Sequence, residues 1–332
     1  MYKKKALVIG SNSFSGSWFV NLLLNKKYYV YGVSRSSELS EIFLRYKSNK
    51  KNKNFKFFKK NLNKTEDIKF IIRLIKTQKI KYVINFAAQG MVAESWVNPV
   101  DWYKTNTLSM VNLIHQLKET KIKKYLHIST PEVYGNISKN KKESFIFNPT
   151  TPYAISRAST DTYLKKLHEY FNFPVLFTRA ANVFGPHQQL YRIIPKTIFS
   201  LLSNIKIPLD GGGMSVRSFI HIDDATKAYY KILSKGKLGN CYHVSTDRFI
   251  KIKDLVKLIS IILNKKFKQN IIISKDRKGK DQSYYLNTAK IKNELNWKNE
   301  TKLENGIYDT IDWITNNFEK LKLKHINYNH KK

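Results

Sequence analysis

Residues 5–24 place a buried strand, a turn of small residues and a helix in immediate succession, and this unit constrains the possible folds more than any other part of the chain. The turn follows the spacing Gly10-x-x-Ser13-x-x-Gly16. In α/β proteins this succession places a pyrophosphate at the N-terminus of a helix. Ser13 stands where a glycine is usual, but it is small and its hydroxyl can donate to a phosphate. We therefore predict a dinucleotide site that includes Gly10, Ser13, Phe14 and Gly16.

The pattern that follows this unit predicts a doubly wound parallel sheet. Further apolar strands are predicted at residues 29–33, 55–58, 82–86, 125–128 and 174–179. Strands that alternate with helices indicate a Rossmann-type α/β fold with right-handed crossovers. We assign residues 1–186 to an NAD(P)-binding Rossmann domain, to which residues 217–240 return, and residues 187–332 mainly to a smaller α/β substrate-binding domain. The last ten residues are polar and are expected to fray.

The loop after the second predicted strand bears on the choice of dinucleotide. NAD-binding proteins usually carry an acid there for the adenosine ribose, whereas an arginine suits the 2′-phosphate of NADP. Here Arg35 occupies the loop, and the first acid is Glu38. The loop therefore favours NADP, with a solvent-facing arginine as the alternative interpretation.

Four more cofactor candidates follow the ends of the next two strands, and they are Asn61 and Leu62, then Ala87 and Ala88. The first pair is placed to contact an adenine. The second pair is small enough to let a cofactor approach the backbone closely.

The stretch from residue 129 to residue 157 carries the candidate catalytic groups. A short apolar strand runs directly into this stretch, so Thr130 and Glu132 lie where the carboxyl end of a parallel strand opens into a crevice. Tyr153 and Arg157 are four residues apart in a predicted helix and share one face. A fixed cation stabilises a phenolate and lowers the pKa of the phenol, so Tyr153 can act as a base near neutral pH. Taken alone, this pair can also be an ordinary surface pair.

Composition limits the classes of function. The net charge of +36 permits nucleic-acid binding. However, Lys, Asn and Ile are abundant throughout, and no basic block studded with aromatic residues occurs, so an anionic small-molecule substrate is favoured over nucleic acid. No apolar run is long enough to span a membrane, and no zinc-ligand spacing occurs, so no metal is predicted. The single cysteine, Cys241, excludes an intramolecular disulfide and favours a cytoplasmic location.

Together these residues make the chain resemble the extended short-chain dehydrogenase/reductase family. The most specific motifs are Ser129-Thr130-Pro131-Glu132-Val133-Tyr134-Gly135, Pro152-Tyr153, Asn182-x-x-Gly185-Pro186, Arg217 before Phe-Ile-His-Ile-Asp-Asp, and Arg277-x-Gly279-x-Asp281. Within the family, the chain is most similar to nucleotide-sugar 4,6-dehydratases, especially the dTDP-glucose enzymes. The resemblance covers residues 5–317. It implies a homodimer, a nucleotide-sugar substrate, and NAD or NADP that is tightly bound and recycled.

The resemblance also implies a role for each matching residue. Tyr153 would remove the proton of the sugar O4 as hydride leaves C4, and Glu132 would remove the C5 proton as water leaves C6, after which hydride returns to C6. Thr130 would hydrogen bond O4 and the developing oxyanion, and Arg157 would accompany Tyr153. Asn182 and Arg217 would hold the substrate pyrophosphate, and Arg192 and Arg277 are candidate nucleotide contacts. Gln89 is a further candidate for substrate binding.

Two departures from the family pattern leave alternatives open. Lysine is usual at Arg157, and the dTDP-glucose enzymes carry aspartate, the proposed acid for the C6 hydroxyl, at Pro131. GDP-mannose 4,6-dehydratases also lack that aspartate, keep the glutamate and have an arginine near Arg35. Glu132 then serves as both base and acid, or the elimination does not occur and the chain is an NDP-sugar 4-epimerase or a UDP-glucuronate decarboxylase. An inactive cofactor-binding scaffold, associated with RNA through its charge, is a further alternative.

Overall fold

The computed structural model describes residues 4–137, 140–276, 279 and 281–330. The strands of these residues are β1 (Lys5–Ile9), β2 (Tyr29–Ser34), β3 (Phe55–Lys59), β4 (Tyr82–Asn85), β5 (Lys124–Ser129), β6 (Val175–Ala180), β7 (Asn182–Phe184), β8 (Ile207–Asp210), β9 (Val216–His221), β10 (Cys241–Val244), β11 (Phe249–Lys251) and β12 (Ile271–Ser274). The α-helices are α1 (Phe14–Asn25), α2 (Thr65–Thr77), α3 (Pro99–Tyr103), α4 (Ser109–Lys118), α5 (Pro152–Phe171), α6 (Ile193–Leu202), α7 (Ile222–Lys235), α8 (Ile252–Ile262), α9 (Ala289–Leu295), α10 (Leu303–Asn316) and α11 (Phe318–Lys322).

The central sheet is parallel throughout, in the order β10-β6-β5-β4-β1-β2-β3. The chain builds outward from β1 to β3, then crosses back to β4 and builds outward in the other direction. The order therefore reverses between β1 and β4, and in such sheets a ligand binds at the carboxyl ends of the strands beside this reversal. The predicted Rossmann-type fold is confirmed.

Helices cover both faces of the central sheet. On one face α1 and α7 pack through side chains such as Phe19 and Tyr229. On the other face α2, α4 and α5 contribute side chains such as Ile71, Leu113 and Leu164. Because the inner strands are buried on both sides, they are continuous apolar runs rather than alternating ones. This explains why their sequence pattern was sufficient to locate them.

A second hydrophobic core lies in the C-terminal half and unites α6, α8, α10 and α11 with β8. Two small sheets border it, β11-β9-β7 and β12-β8. Between β9 and β11 the chain returns to the central sheet, where β10 pairs with β6. The domain division at residue 186 remains a prediction.

The helical stretch between residues 99 and 118 is interrupted. A π-helical turn, Lys104–Leu108, joins α3 to α4. This turn carries the buried side chain of Asn106, which bonds both backbone groups of Gln89: the Gln89 N–H donates to Asn106 Oδ1 at 2.7 Å, and Asn106 Nδ2 donates to the Gln89 carbonyl at 3.0 Å. Such turns are rare in proteins, and those that occur are frequently at functional sites. Of the helices among the described residues, none is both long and apolar enough to cross a membrane.

Candidate active site

The predicted glycine turn closes over the point where the sheet order reverses. Gly10 has a φ of +82°, and a Cβ there would lie 2.7 Å from the backbone nitrogen of Ala87, which follows β4. The Cβ of any other residue would therefore both strain the turn and separate β1 from β4. A side chain at Gly16 would meet the carbonyl of Gly10. Ser13 has an ordinary φ of −72° and accepts a hydrogen bond from Gly16 N at 3.1 Å as the N-cap of α1, so serine is tolerated where glycine was expected.

The other predicted cofactor residues follow the ends of β2, β3 and β4. Leu62 is buried in the core between the sheet and its helices, so only its backbone can face an adenine. Asn61 Oδ1 accepts from the backbone of Asn63, which leaves its amide nitrogen as the polar group available for a base. Ala88 is exposed, and Arg35 at the end of β2 is half-buried. Burial lowers the pKa of the Arg35 guanidinium.

Thr130, Glu132 and Tyr153 come together where β5 ends. Thr130 caps the 3₁₀ helix Pro131–Tyr134 that carries Glu132, and its hydroxyl helps to lower the pKa of the Tyr153 phenol in the first turn of α5. Burial raises the pKa of Glu132; Arg217 and Arg192 oppose the shift, and Asp281 adds to it. The site therefore holds a carboxyl and a phenol that share a desolvated space, a combination typical of acid–base catalysis.

The pKa of Tyr153 contradicts one prediction from the sequence. Burial raises it above its ordinary value and the neighbouring Glu132 adds to the increase, whereas Arg157, the Thr130 hydroxyl and Arg192 only partly offset both effects. Arg157 thus acts in the predicted direction, but the prediction of a lowered pKa was wrong for the protein without ligands. The spacing of the sequence identified Arg157 as a nearby cation, but it could not show that the Tyr153 phenol is desolvated.

Arg157 is fully buried beneath the end of β5 rather than on the surface. Its Nη2 donates to the carbonyl of Ile128 at 2.5 Å and lies 3.3 Å from His127 Nε2. Within the described part of the chain, its Nε and Nη1 have no hydrogen-bond partner. Buried guanidinium donors are costly to leave unpaired. These two donors, the close approach of Gly10 to Ala87, and the helix N-terminus at Ser13 together fit a bound dinucleotide.

A buried ion pair supports the catalytic segment from below. Arg179 of β6 contacts Asp161 of α5 at 2.8 Å, and both side chains are fully buried. Asp161 also accepts from Ser129 Oγ at 2.7 Å and lies 3.3 Å from His127. Burial alone would raise the pKa of Asp161, but Arg179 and His127 hold it well below its ordinary value. The pair therefore ties α5 to the residue that precedes Thr130.

The predicted substrate residues lie at different distances from this centre. Arg217 donates to the carbonyls of Val216, Asp281 and Gln282, and its charge acts on Glu132. Arg192, predicted to contact the nucleotide, acts on both Glu132 and Tyr153 and so lies nearer the reacting groups than expected. Asn182 is exposed on β7.

The two remaining substrate candidates are Gln89 and Arg277. Gln89 is 2% exposed, and its amide nitrogen contacts Tyr328 and His330 near the C-terminus. Arg277 lies outside the described residues.

Asp281 and Tyr284 were not identified as site residues from the sequence. Asp281 is 4% exposed, accepts from Tyr284 at 2.6 Å and Thr150 at 2.9 Å, and raises the pKa of Glu132. The ring of Tyr284 packs under the Arg217 guanidinium at 4.5 Å. The signal for Asp281 was present in the Arg277-x-Gly279-x-Asp281 motif, of which only the arginine was predicted to bind substrate.

Several known proteins are similar to this chain. A family model described as GDP-mannose 4,6 dehydratase matches residues 7–310. The human dTDP-D-glucose 4,6-dehydratase is 31% identical over 330 residues, which cover 97% of this chain and 93% of the human protein. A dTDP-glucose 4,6-dehydratase from Streptomyces venezuelae, solved with NAD bound, has a TM-score of 0.88 and 26% identity, with 95% of this chain and 98% of that chain covered. One from Bacillus anthracis, also with NAD, has a TM-score of 0.84 and 28% identity at the same coverage.

Proposed function

Since this chain belongs to the GDP-mannose 4,6-dehydratase family, we infer that it is an NAD-dependent nucleotide-sugar 4,6-dehydratase, a lyase. It converts an NDP-hexose into an NDP-4-keto-6-deoxyhexose and water. The observation that carries this assignment is the meeting of Thr130, Glu132 and Tyr153 in one desolvated space beside the glycine turn. An epimerase or a decarboxylase needs the tyrosine and the threonine, but it does not need a buried carboxyl beside them.

When bound, NAD would supply a hydride acceptor for C4 of the sugar and a hydride donor for C6. The residues proposed to hold it are Gly10, Ser13, Phe14, Gly16, Arg35, Asn61, Leu62, Ala87, Ala88, Tyr153 and Arg157. The N–H groups at the start of α1 suit a pyrophosphate. The unpaired Nε and Nη1 of Arg157 are the donors proposed for the nicotinamide ribose.

Tyr153 is proposed to take the proton of the sugar O4. Its raised pKa disfavours the phenolate, so the positive charges of Arg157 and Arg192 and the Thr130 hydroxyl, all of which lower the pKa, are needed to offset desolvation. Thr130 is also placed to donate to the oxygen that gains negative charge at C4. The product of this half-reaction is a 4-keto sugar, which makes the C5 proton acidic.

Glu132 is proposed to remove that C5 proton and deliver it to the C6 hydroxyl, which leaves as water. Pro131 cannot donate a proton, so one group must act first as base and then as acid. A raised pKa makes the carboxylate of Glu132 a stronger base than an ordinary one, which favours the first of these tasks. Return of hydride to C6 would then be matched by a proton from solvent at C5, and Tyr153 would release the O4 proton to solvent.

The substrate diphosphate is assigned to Asn182 and Arg217. Arg192 and Arg277 are candidates for the nucleotide, and Gln89 is a further candidate for substrate binding. Guanidinium groups pair well with phosphate oxygens. The dTDP-glucose relatives favour dTDP-glucose as the hexose nucleotide, with GDP-mannose as the second candidate.

The decisive experiment incubates the purified protein with dTDP-glucose, GDP-mannose, CDP-glucose and UDP-sugars and follows the loss of one water by mass spectrometry. The expected product is a 4-keto-6-deoxy sugar, formed over many turnovers without added reductant. Exchange of C4 epimers would indicate an epimerase, and release of carbon dioxide would indicate a decarboxylase. No reaction would indicate an inactive scaffold. A stoichiometric need for reduced cofactor would indicate a reductase.

We also propose that the protein is a homodimer and that it is located in the cytoplasm. Exposed apolar side chains occur at Val97, Val100 and Leu108, on and beside α3, and at Tyr170 near the end of α5, and they are between 67% and 76% exposed. Apolar patches of this kind mark protein interfaces. The single buried cysteine, Cys241, supports a reducing compartment.

A further inference from the structure

The C-terminal segment from Ile326 to His330 crosses from the C-terminal core to the ends of the Rossmann strands. Ile326 packs against the C-terminal core. Asn327 accepts a hydrogen bond from Lys196 of α6 at 3.3 Å, and the ring of Tyr328 packs edge-on against Tyr191 at 5.4 Å. These contacts hold the first half of the segment to the side of the cleft that belongs to the proposed substrate-binding half.

The second half of the segment is held by the opposite side of the cleft. His330 Nε2 lies 2.7 Å from Asp101 Oδ2, and its Nδ1 lies 3.1 Å from Gln89 Nε2. A neutral imidazole that donates from Nε2 and accepts at Nδ1 satisfies both partners. The ring also stacks on the buried Trp102, with 5.1 Å between centroids and 7° between planes. The segment is thus docked at its end, contrary to the fraying expected from its polar composition.

Tyr328 contacts Gln89 and is influenced by two arginines that are proposed for different ligands. Gln89 Nε2 donates to its hydroxyl at 3.2 Å. Burial raises the pKa of this phenol, whereas Arg35 and Arg192 both lower it. Arg35 is a candidate for the adenosine ribose, and Arg192 is a candidate for the substrate. The hydroxyl of Tyr328 is therefore in reach of groups that serve each ligand.

We propose that Ile326–His330 is a strap that closes the cofactor cleft, with Tyr328 and His330 as further binding residues that retain the dinucleotide. The alternative is a plug that occupies the cofactor volume. Among the described residues, the strap's hydrogen bonds and ring contacts go to the rim, to Gln89, Asp101, Trp102, Tyr191 and Lys196, and not to the glycine turn or to Tyr153. A cover over the rim leaves the floor of the cleft free for the ligand.

The strap rests on the proposed function only in that NAD is the ligand, and it gives tight retention a structural cause. A strap fixed to both sides of the cleft must detach at one end before the dinucleotide can leave. Cofactor exchange is then slower than in the same cleft without the strap, which suits an enzyme that recycles its cofactor in every turnover.

The test measures how fast NAD leaves the purified protein. The variants are a stop codon in place of Asn327, Tyr328→Ala and His330→Ala, and the matched control is His325→Ala, an exposed histidine of the same tail. Each protein is loaded with NAD and chased with an excess of an enzyme that consumes free NAD. We expect dissociation about tenfold faster in the stop variant, equivalent to about 1.4 kcal/mol, and several-fold faster in each single variant. His325→Ala should match the wild type.

Three results would overturn the strap. Dissociation rates equal to the wild-type rate in all variants would mean that the tail contributes nothing to retention. Tighter NAD binding after removal of the tail would indicate a plug. Equal acceleration by His325→Ala would indicate a general loss of fold, and thermal unfolding of each variant checks this separately. The measurement uses no sugar, so a failure of the dehydratase assignment, seen as no water loss from any NDP-hexose, is distinguishable from a failure of the strap.

Discussion

Replacement of Glu132 by glutamine separates the two halves of the proposed reaction. Glu132→Gln keeps the size of the side chain and removes its basicity, while Thr130 and Tyr153 remain. Oxidation at C4 should therefore proceed, whereas removal of the C5 proton should not. Reduced nicotinamide is expected to accumulate on the enzyme after NDP-hexose is added, because its hydride has no acceptor at C6.

The size of the effect on rate follows from the role of the carboxylate. Loss of a general base typically lowers a rate by about 10²–10⁴-fold, which raises the barrier by about 2.7–5.4 kcal/mol at about 1.36 kcal/mol per factor of ten. The effect should appear in the rate of water loss and not in the rate of the first hydride transfer. Removal of the negative charge also lowers the pKa of Tyr153, since Glu132 contributes to raising it, so the first step should not slow.

The same substitution should stabilise the fold at neutral pH. Burial raises the pKa of Glu132 in the folded protein, so between the ordinary pKa and the raised one the folded state holds a proton that the unfolded state has released. The free energy of unfolding therefore falls as pH rises through this window, with a slope of about 1.4 kcal/mol per pH unit. Glutamine does not titrate. The stability of Glu132→Gln relative to wild type should grow from acidic to neutral pH.

Two assays and one control test these expectations. Stopped-flow absorbance of reduced nicotinamide follows the first half, mass spectrometry follows water loss, and urea unfolding at several pH values follows stability. Glu143→Gln is the matched control, because burial also raises the pKa of Glu143 but this residue has no proposed role in the reaction. Water loss by Glu132→Gln at the wild-type rate would refute the base assignment, and a stability difference that does not vary with pH would refute the desolvation.

A companion variant tests whether the missing acid limits the reaction. Pro131 is the first residue of the 3₁₀ helix capped by Thr130, a position where an acidic residue is favourable. Pro131→Asp should therefore fold, and its buried position should raise the pKa of the new carboxyl as it does for Glu132. Faster water loss than in the wild type is expected if protonation of the C6 hydroxyl is slow. A rate below that of the wild type in a folded variant would show that Glu132 suffices as the acid.

Three more predictions concern the cofactor, the phenol and the fold. Arg35→Ala should weaken NADP binding much more than NAD binding, and if the wild type prefers NAD and neither affinity changes in titrations, Arg35 does not read a 2′-phosphate. Arg157→Met should move the rising limb of the kcat/KM profile to higher pH, because Arg157 lowers the pKa of Tyr153. Arg157→Lys keeps the charge and should leave the limb near its wild-type position. The same pH profile for both variants would mean that the charge at position 157 does not control the pKa of Tyr153. Asp161→Asn strands the fully buried Arg179 without its counter-ion and should cost about 3–5 kcal/mol in urea unfolding, whereas a loss below about 1 kcal/mol would mean that the pair is not desolvated.

The sequence alone determined the features that depend on local pattern. The doubly wound sheet followed from continuous apolar runs that alternate with helices, since strands buried on both faces need apolar side chains at every position. The glycine turn followed from spacing, because Gly10 must adopt a positive φ and lie against Ala87. Thr130, Glu132 and Tyr153 were found for the same reason: strand ends and helix starts fix where such residues point.

Tertiary structure decided the properties that arise from distant segments. The raised pKa values of Glu132 and Tyr153 come from desolvation, which is the sum of everything packed around a group and leaves no periodic trace in the chain. The docking of His330 against Asp101 joins residues far apart in sequence, so composition predicted a frayed tail where contacts produce an ordered one. The spacing of residues shows which side chains are neighbours along one helix or strand. Only tertiary packing determines how far those side chains are desolvated, which charges lie near them and which segments cover them.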